Sequence, residues 1–296
     1  MNIKNWLKTK LRNALGISNL FEKIHQIQGL LNQDKQLDFK PYFQTLIERS
    51  KSGTIFTSTI NNMELLVPVE TVRLFPHCLH LDEQQYPIYW VETRQSDWLC
   101  EKLNPGDTAL DIGAAFGIIT AALSKTVGET GIVHAFDPSK TAQQMLRQLI
   151  ELNNLQNVTV IPKAISECAD VQEFIEYTAD NDLSWASDSS TLAAPTINSL
   201  LNHVKYSVEV TTLDDYVAAT GIKPKAIKMD IEGFELYALQ GAKATLEKFS
   251  PYLCIDIHKD VKTGESALVG VEPYLQKLGY SLKMEGHALY CTPGNG

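Results

Sequence analysis

The chain has 296 residues, 44% of them hydrophobic and 21% charged, with a formal net charge of −9. The composition is ordinary for a soluble globular protein, and the acidic excess argues against a nucleic-acid partner, because phosphate neutralisation needs clustered Lys and Arg. The five cysteines are scattered without a CxxC pair, which argues against a disulfide framework or a zinc site and favours a cytoplasmic protein. Neither a membrane-spanning apolar run nor a secretion signal is expected.

Residues 1–50 are predicted to form an N-terminal helical extension. Apolar residues recur at helical spacing from Ile3 to Leu15 and again from Leu20 to Leu31. We expect an amphipathic helix that packs on the main domain or on a partner subunit. Four basic residues lie among the first twelve, so a second interpretation is that residues 1–31 rest peripherally on an anionic membrane surface.

Residues 51–92 are predicted to form an irregular cap or a small β-hairpin. Two β-like runs, Thr54–Thr59 and Glu64–Val69, are followed by further prolines. The aromatic residues of this region are interpreted as core or interface residues. They are Phe75, Tyr86, Tyr89 and Trp90.

Residues 93–296 alternate between strand and helix patterns, which predicts an α/β domain with a mostly parallel, Rossmann-like sheet and helices on both faces. The predicted strands are Thr108–Ile112, Gly131–Asp137, Val158–Pro162, Ala226–Asp230, Tyr252–Ile257, Tyr280–Met284 and Ala288–Thr292. The predicted helices are Phe116–Lys125, Thr141–Leu152, Phe234–Lys248 and Glu265–Leu278. The last two strands are separated by a turn too short for a crossover, so we expect a C-terminal antiparallel hairpin.

Residues 171–212 interrupt this alternation. Two β-like runs, Val171–Tyr177 and Tyr206–Thr212, flank a polar segment that contains Trp185. Long loops inside compact domains are commonly functional. We interpret the insertion as a substrate-facing lid, with a plain surface excursion as the alternative; Trp185 would either stack on a sugar ring or close the loop onto the domain.

The clearest binding motif is DIGAAFG at residues 111–117. A strand that breaks at a glycine and feeds a helix brings backbone N–H groups close to a ligand. The spacing differs from the GxGxxG dinucleotide fingerprint. Asp137 ends the next strand, where a carboxylate can accept ribose hydroxyls. The alternatives are a turn or cap role for Asp111 and an Asx turn for Asp137.

A second cluster of polar residues follows later strands of the sheet. Asp230 closes one strand and Glu232 lies in the turn after it, while Asp256 and His258 come from the next central strand. We therefore expect these four side chains at the carboxyl edge where such sheets bind ligands. Lys228 lies on the same face of the strand as Asp230. The alternative interpretation of this pair is an ion pair with a purely structural role. His258 is either a general base or an ordinary core or cap histidine.

Taken in order, these motifs resemble the FkbM-type methyltransferases, which are class I enzymes dependent on S-adenosylmethionine. The resemblance covers roughly residues 90–260. It is carried by the segments DIGAAFG (111–117), AFDP (135–138), TLDD (212–215), IKMDIEG (227–233), LQGA (239–242) and IDIH (255–258). The chain departs from the family pattern at Ala115, where Asn is frequent, and at Asp256, where Glu is frequent.

The resemblance implies a seven-stranded sheet with the C-terminal hairpin and an S-adenosylmethionine site. It implies methyl transfer to a hydroxyl of a sugar, a glycan or a related natural product. The cofactor-binding residues that it implies are Asp111, Gly113, Ala114, Phe116 and Gly117 for the methionine end, Asp137, Pro138 and Ser139 for the ribose, Lys163, Ala164 and Ile165 along the adenine, and Asp230.

For the transfer step we predict that His258 is the general base, that Asp230 or Asp256 orients it, and that Glu232 contacts acceptor hydroxyls. A rival mechanism, which the sequence does not favour, has Asp230, Glu232 and His258 hold a divalent cation. Two other functions stay open at this point. One is a nicotinamide-dependent oxidoreductase, and the other is a non-catalytic module in a biosynthetic assembly.

Overall fold

The computed structural model describes residues 50–60, 63–74, 79–81, 87–89, 93–177, 192 and 203–294. The predicted N-terminal helices, the centre of the predicted lid with Trp185, and Phe75, Tyr86 and Trp90 lie outside these ranges, and of Tyr89 only the backbone is described. The chain divides into two compact units, residues 1–52 and 53–296. None of the helices within the described ranges has the length and apolar character needed to cross a membrane.

The second unit begins with a small sheet. Strands β1 (Ile55–Ile60) and β2 (Met63–Pro68) form an antiparallel hairpin, and helix α1 (Val69–Leu74) follows. Strands β3 (Leu79–Leu81) and β4 (Pro87–Tyr89) complete a four-stranded sheet in the order β2-β1-β4-β3. The hairpin expected in this region is therefore present.

All seven strands that the sequence predicts for the main sheet are present among the remaining elements. In chain order they are α2 (Thr93–Cys100), β5 (Thr108–Ile112), α3 (Ile118–Val127), β6 (Ile132–Phe136), α4 (Lys140–Leu152), β7 (Val158–Ile161), β8 (Lys163–Ile165), β9 (Asp170–Tyr177), β10 (His203–Thr211), α5 (Leu213–Thr220), β11 (Pro224–Met229), α6 (Glu235–Gln240), α7 (Lys243–Phe249), β12 (Tyr252–Asp256), α8 (Leu268–Lys277), β13 (Tyr280–Glu285) and β14 (Ala288–Pro293).

Seven of these strands form the main sheet, in the order β13-β14-β12-β11-β5-β6-β7. All neighbours pair in parallel except β14, which is antiparallel to both β12 and β13. This confirms the predicted fold class and the C-terminal hairpin. The strand order reverses between β5 and β11, and in open α/β sheets ligands bind in the crevice outside the carboxyl ends at such a point.

The sheet is buried on both faces, which explains why its strands read as nearly continuous apolar runs. On β5, Leu110 and Ile112 contribute to a core cluster with residues of helices α5 to α8, whereas Ala109 faces a second cluster that includes Leu99 of α2 and Leu123 of α3. Alternation along the strand separates the two sets.

One predicted helix, Phe234–Lys248, is two helices in the structure. Helix α6 ends before Gly241, and α7 begins at Lys243. The carboxylate of Asp214 accepts hydrogen bonds from the backbone N–H groups of Ala244 and Thr245, at 2.9 and 2.7 Å. This long-range cap satisfies amide groups that a continuous helix would use internally, so the break depends on a residue thirty positions upstream.

The structure also contains a three-stranded sheet that the sequence did not predict, in the order β8-β10-β9. Strands β9 and β10, the two β-like runs that flank the predicted lid, pair antiparallel with His203 opposite Tyr177. The described ends of the insertion therefore form a two-stranded ribbon, and β8 extends it in parallel to β10.

Candidate active site

The glycine loop connects β5 to α3 and contacts the end of β11. Gly113 has φ +81°, and a Cβ placed there would lie 1.7 Å from the backbone oxygen of Asp230. Gly117 has φ +89°, and its Cβ would lie 2.4 Å from Cδ1 of Leu146 on α4. At Gly113 the clash is with backbone atoms and excludes other residues, whereas at Gly117 it is with the end of a flexible leucine side chain and the positive φ is what favours glycine. The backbone that Gly113 approaches belongs to Asp230, directly after β11, so the glycine loop packs against the end of that strand.

Asp111, the penultimate residue of β5, is a buried acidic residue beside this loop. Its side chain is almost fully inaccessible, and its Oδ2 accepts a hydrogen bond from the hydroxyl of Thr120 at 2.5 Å. Burial raises the pKa of Asp111 to about 6, although Thr120 and the Lys228 ammonium oppose the shift. Helix α3 has no side-chain N-cap, and the predicted loop residues Ala114 and Phe116 are both buried.

Asp137 directly follows β6 and connects this strand end to the glycine loop. Its Oδ2 accepts from the backbone N–H of Ala115 and its Oδ1 from that of Ser139, both at 2.8 Å. Burial raises the pKa of Asp137 to about 7, while these two N–H donors oppose the shift. Ser139, which follows Pro138, caps α4 by accepting from Ala142. Ala115 has φ +46°, a conformation that Asn adopts more readily than Ala.

The predicted adenine segment is strand β8. Ala164 and Ile165 are buried, and Ile165 belongs to the same core cluster as Phe136 and Ile161. Lys163 is partly exposed and forms an ion pair with Glu209 at 2.8 Å. A role of this segment along the adenine stays a prediction.

These residues fit S-adenosylmethionine chemically. Asp111 and Asp137 are buried carboxylates whose raised pKa values reflect incomplete compensation of their charge. The ammonium and the ribose hydroxyls of this cofactor are hydrogen-bond donors that would supply such compensation. Both carboxylates lie next to the glycine loop, at the carboxyl edge of the sheet.

Beside the loop, three residues form a group that we call the buried cluster: Lys228, Asp256 and Gln95. The Lys228 ammonium contacts Oδ2 of Asp256, and Gln95 Nε2 donates to Oδ1 of Asp256 at 2.7 Å. All three side chains are at most 5% exposed. Burial raises the pKa of Asp256, and Lys228 opposes the shift. Gln95, on α2, was not predicted from the sequence, since no local signal links it to a residue of β12.

A second group, which we call the open cluster, consists of Asp230, Glu232 and His258. The Nε2 atom of His258 lies 3.6 Å from Asp230 Oδ1 and 3.7 Å from Glu232 Oε1. The three side chains are each between 27% and 29% exposed. All four residues predicted at this edge lie at or just after the ends of β11 and β12, and three of them form the open cluster.

The position of the fourth residue corrects one expectation. Asp256 is engaged by Lys228 and Gln95 in the buried cluster, and the Nδ1 atom of His258 is hydrogen-bonded instead to Glu235 Oε1, at 2.8 Å. Glu235 is fully buried, and the same oxygen accepts from the backbone N–H of Gly233 at 3.0 Å. Glu235 stands in the first turn of α6, two residues after the IKMDIEG segment, and it was not predicted as a site residue because its sequence position alone does not distinguish it from a helix-terminal carboxylate.

The charges of the open cluster are strongly coupled. Burial by itself would lower the pKa of His258, but the hydrogen bond to Glu235 and the charges of Asp230 and Glu232 raise it to about 9. Burial raises the pKa of Glu232 to about 7, against the effect of His258. For Asp230 burial acts upward, yet Lys228 and His258 outweigh it and hold the pKa below its ordinary value.

Comparisons with known proteins agree with these features. The family model described as "Methyltransferase FkbM domain" matches residues 111–282. Among curated proteins, none matches this chain.

Several solved structures are similar. A methyltransferase FkbM from Methylobacillus flagellatus KT is 18% identical, with 86% of this chain and 58% of that chain covered and a TM-score of 0.44. This chain thus spans less than two thirds of that protein's length. A SAM dependent methyltransferase from Aquifex aeolicus is 19% identical, with 67% of this chain and 88% of that chain covered and a TM-score of 0.38.

Proposed function

This chain belongs to the family of FkbM methyltransferases, and from that premise we propose that it is an S-adenosylmethionine-dependent O-methyltransferase. The proposed acceptor is a hydroxyl of a sugar, a glycan or a related natural product. The family membership supports the reaction class, and the chemistry of the open cluster supports an oxygen acceptor.

The observation that carries the proposal is the contact between the glycine loop and the open cluster. Gly113 lies against the backbone of Asp230 so closely that no Cβ fits between them, and the N–H of Asp230 donates to the carbonyl of Ile112 at 2.9 Å. A donor held by the loop would therefore face Asp230, Glu232 and His258. We expect the acceptor oxygen and the donor to occupy one crevice in this arrangement.

When bound, S-adenosylmethionine supplies a methyl group that its sulfonium charge already activates. The chain's own residues then have two tasks. Asp111 and Asp137 hold and orient the cofactor, and the open cluster positions the acceptor hydroxyl in line with the methyl group. Such alignment contributes up to roughly 7–11 kcal/mol to lowering a barrier.

The acceptor hydroxyl must also lose its proton as the new C–O bond forms. His258 was predicted to take it, but its pKa of about 9 keeps the imidazole protonated at neutral pH in the free protein. His258 can therefore act as a base only where another positive charge replaces that proton. The open cluster as a whole, rather than His258 alone, is the proposed activating group.

The test uses the purified full chain. Thermal shift should show stabilisation by S-adenosylhomocysteine and none by NAD, and a panel of hydroxylated acceptors should gain the mass of one methyl group. Replacing His258→Ala should lower turnover by at least about 100-fold while leaving S-adenosylhomocysteine affinity within twofold. Glu272→Gln, at an exposed site on α8, is the matched control. Stabilisation by NAD alone, or a near-full rate in the His258 variant, would contradict the proposal.

A further inference from the structure

We propose that the open cluster of Asp230, Glu232 and His258 binds one divalent cation of the Mg²⁺ and Mn²⁺ class, and that this cation orients and polarises the acceptor hydroxyl. The second half of this statement rests on the proposed function. The cation site itself is independent of it.

The geometry of the donor atoms supports a metal site. One atom from each side chain lies within 4.8 Å of the other two, and the two measured separations from His258 Nε2 are 3.6 and 3.7 Å. Ligands about 2.1 Å from a common ion have separations of this order, so small side-chain rotations suffice. Three ligands on one side of an ion leave its remaining positions for water and an acceptor oxygen.

A second observation concerns the residue behind His258. Glu235 is fully buried and binds the Nδ1 atom of the imidazole, which leaves Nε2 directed to the two carboxylates of the open cluster. Histidines that bind metals nearly always donate their other N–H to a carboxylate or carbonyl in this manner. The remaining Glu235 oxygen, Oε2, is buried without a hydrogen-bond partner in the part of the chain that the structure describes.

The charge balance points to a cation as well. Three carboxylates, those of Asp230, Glu232 and Glu235, face His258. Lys228 contacts Asp230 at 3.4 Å but also contacts Asp256 in the buried cluster, so its charge is shared. Even with a protonated imidazole, this half-buried group carries an excess of negative charge, and a divalent ion would neutralise it.

The backbone at Glu232 shows that this carboxylate is held in place at a cost. Glu232 has φ +55°, a region that costs a non-glycine residue about 1–2 kcal/mol. Strained backbone of this kind is frequent at ligand-binding sites. Here it places the Glu232 carboxylate opposite His258 Nε2.

The donor types select the ion class. Carboxylate and water ligands suit Mg²⁺ and Mn²⁺, and the imidazole, a ligand typical of transition metals, favours Mn²⁺ over Mg²⁺. The cation would draw electron density from the acceptor hydroxyl and lower its pKa. The hydroxyl proton then passes to solvent, the oxygen forms a bond to the methyl carbon, and the carbon–sulfur bond breaks with its electron pair returning to sulfur.

The experiment titrates Mn²⁺ into the full-length protein after treatment with EDTA and dialysis. Binding is followed by electron paramagnetic resonance in the absence of cofactor. We expect one site in the unaltered protein and at least about tenfold weaker binding in Glu232→Gln and in His258→Gln. Glu272→Gln should bind Mn²⁺ like the unaltered protein. Circular dichroism and melting temperature show that each variant is folded, and Glu232→Gly provides a second variant at the strained position.

Turnover and S-adenosylhomocysteine binding are measured on the same samples. Loss of turnover with EDTA and its recovery with Mn²⁺ or Mg²⁺ would support the role of the cation. Absence of Mn²⁺ binding, unchanged affinity in the folded Glu232 and His258 variants, or full turnover after EDTA would overturn the inference. If Mn²⁺ binds as expected but S-adenosylhomocysteine does not, the proposed function fails and the cation site stands; the opposite result leaves the proposed function and removes the cation.

Discussion

The buried cluster and the open cluster both include residues at the ends of β11 and β12. They differ in how many charged or hydrogen-bonding partners each carboxylate has. In the buried cluster, Asp256 is matched by Lys228 and Gln95 and is 1% exposed. In the open cluster, Asp230 and Glu232 share one histidine, Asp230 has a further contact with Lys228 at 3.4 Å, and both carboxylates are more than a quarter exposed. In the buried cluster each charge has a partner in the interior, which favours stability, whereas the partly exposed open cluster is the group that we propose binds a ligand.

The largest effect is expected from removing the positive charge of the buried cluster. Lys228→Met would leave Asp256 uncompensated in the interior, which costs about 3–5 kcal/mol of the free energy of unfolding. Urea denaturation measures this loss. Lys225→Met, at an exposed position of the same strand, should change stability by no more than about 0.5 kcal/mol. The double variant Lys228→Met with Asp256→Leu should recover much of the loss; a loss as small as that of the control would mean that the pair is not desolvated.

Asp137 is expected to have the next largest effect. Its carboxylate is buried like that of Asp256, but its hydrogen-bond donors are neutral backbone N–H groups and not an ammonium. Its folded pKa of about 7 lies above the ordinary 3.8. The stability linked to its protonation is therefore complete below about pH 4 and is lost as pH rises to about 7. Over this window the unaltered protein should lose up to about 4 kcal/mol that Asp137→Asn does not lose. Equal pH slopes in urea denaturation would refute the raised pKa.

A smaller effect is expected at Glu235, which connects the buried interior to the open cluster. Glu235→Gln retains the side chain's size but weakens its hold on His258 Nδ1. Mn²⁺ affinity and turnover should fall by about 10–100-fold, with S-adenosylhomocysteine affinity unchanged. Glu272→Gln is again the control. A drop in melting temperature with unaltered Mn²⁺ affinity would show that Glu235 is merely structural.

The smallest effect is expected on stability at Glu232. Glycine adopts positive φ without strain, so Glu232→Gly should be as stable as the unaltered protein or up to about 1 kcal/mol more stable. It should nevertheless lose Mn²⁺ binding. Urea denaturation measures the free energy of unfolding of this variant, and the Mn²⁺ titration measures its metal affinity. Clear destabilisation would show that Glu232 contributes to the fold as the residues of the buried cluster do.

Much of the fold was predictable because its signals are local. The strands of the main sheet are apolar runs bounded by turns, and the connection predicted before β14, Glu285 to His287, is too short for a crossover. In the structure this connection is only Gly286 and His287. Helix α5 was missed although its signals are present: Thr212 caps it by accepting from Asp215, and Gly221 ends it in a left-handed conformation.

Other features depend on residues that meet only in space. The division of Phe234–Lys248 into two helices needs Asp214, and the state of Asp256 needs Gln95 from a helix 161 residues away in sequence. No window of the sequence contains both partners, so periodicity and propensity cannot reveal such contacts. The same holds for the pairing of β8 with β10.

By itself the sequence determined the sheet, its C-terminal hairpin and the strand ends that carry Asp111, Asp137, Asp230 and His258, because alternation and glycine positions dictate where each strand stops. The tertiary structure decided what each of these groups does. It paired Asp256 with Lys228 and His258 with Glu235, since the roles of charged side chains depend on burial and on neighbours from distant elements.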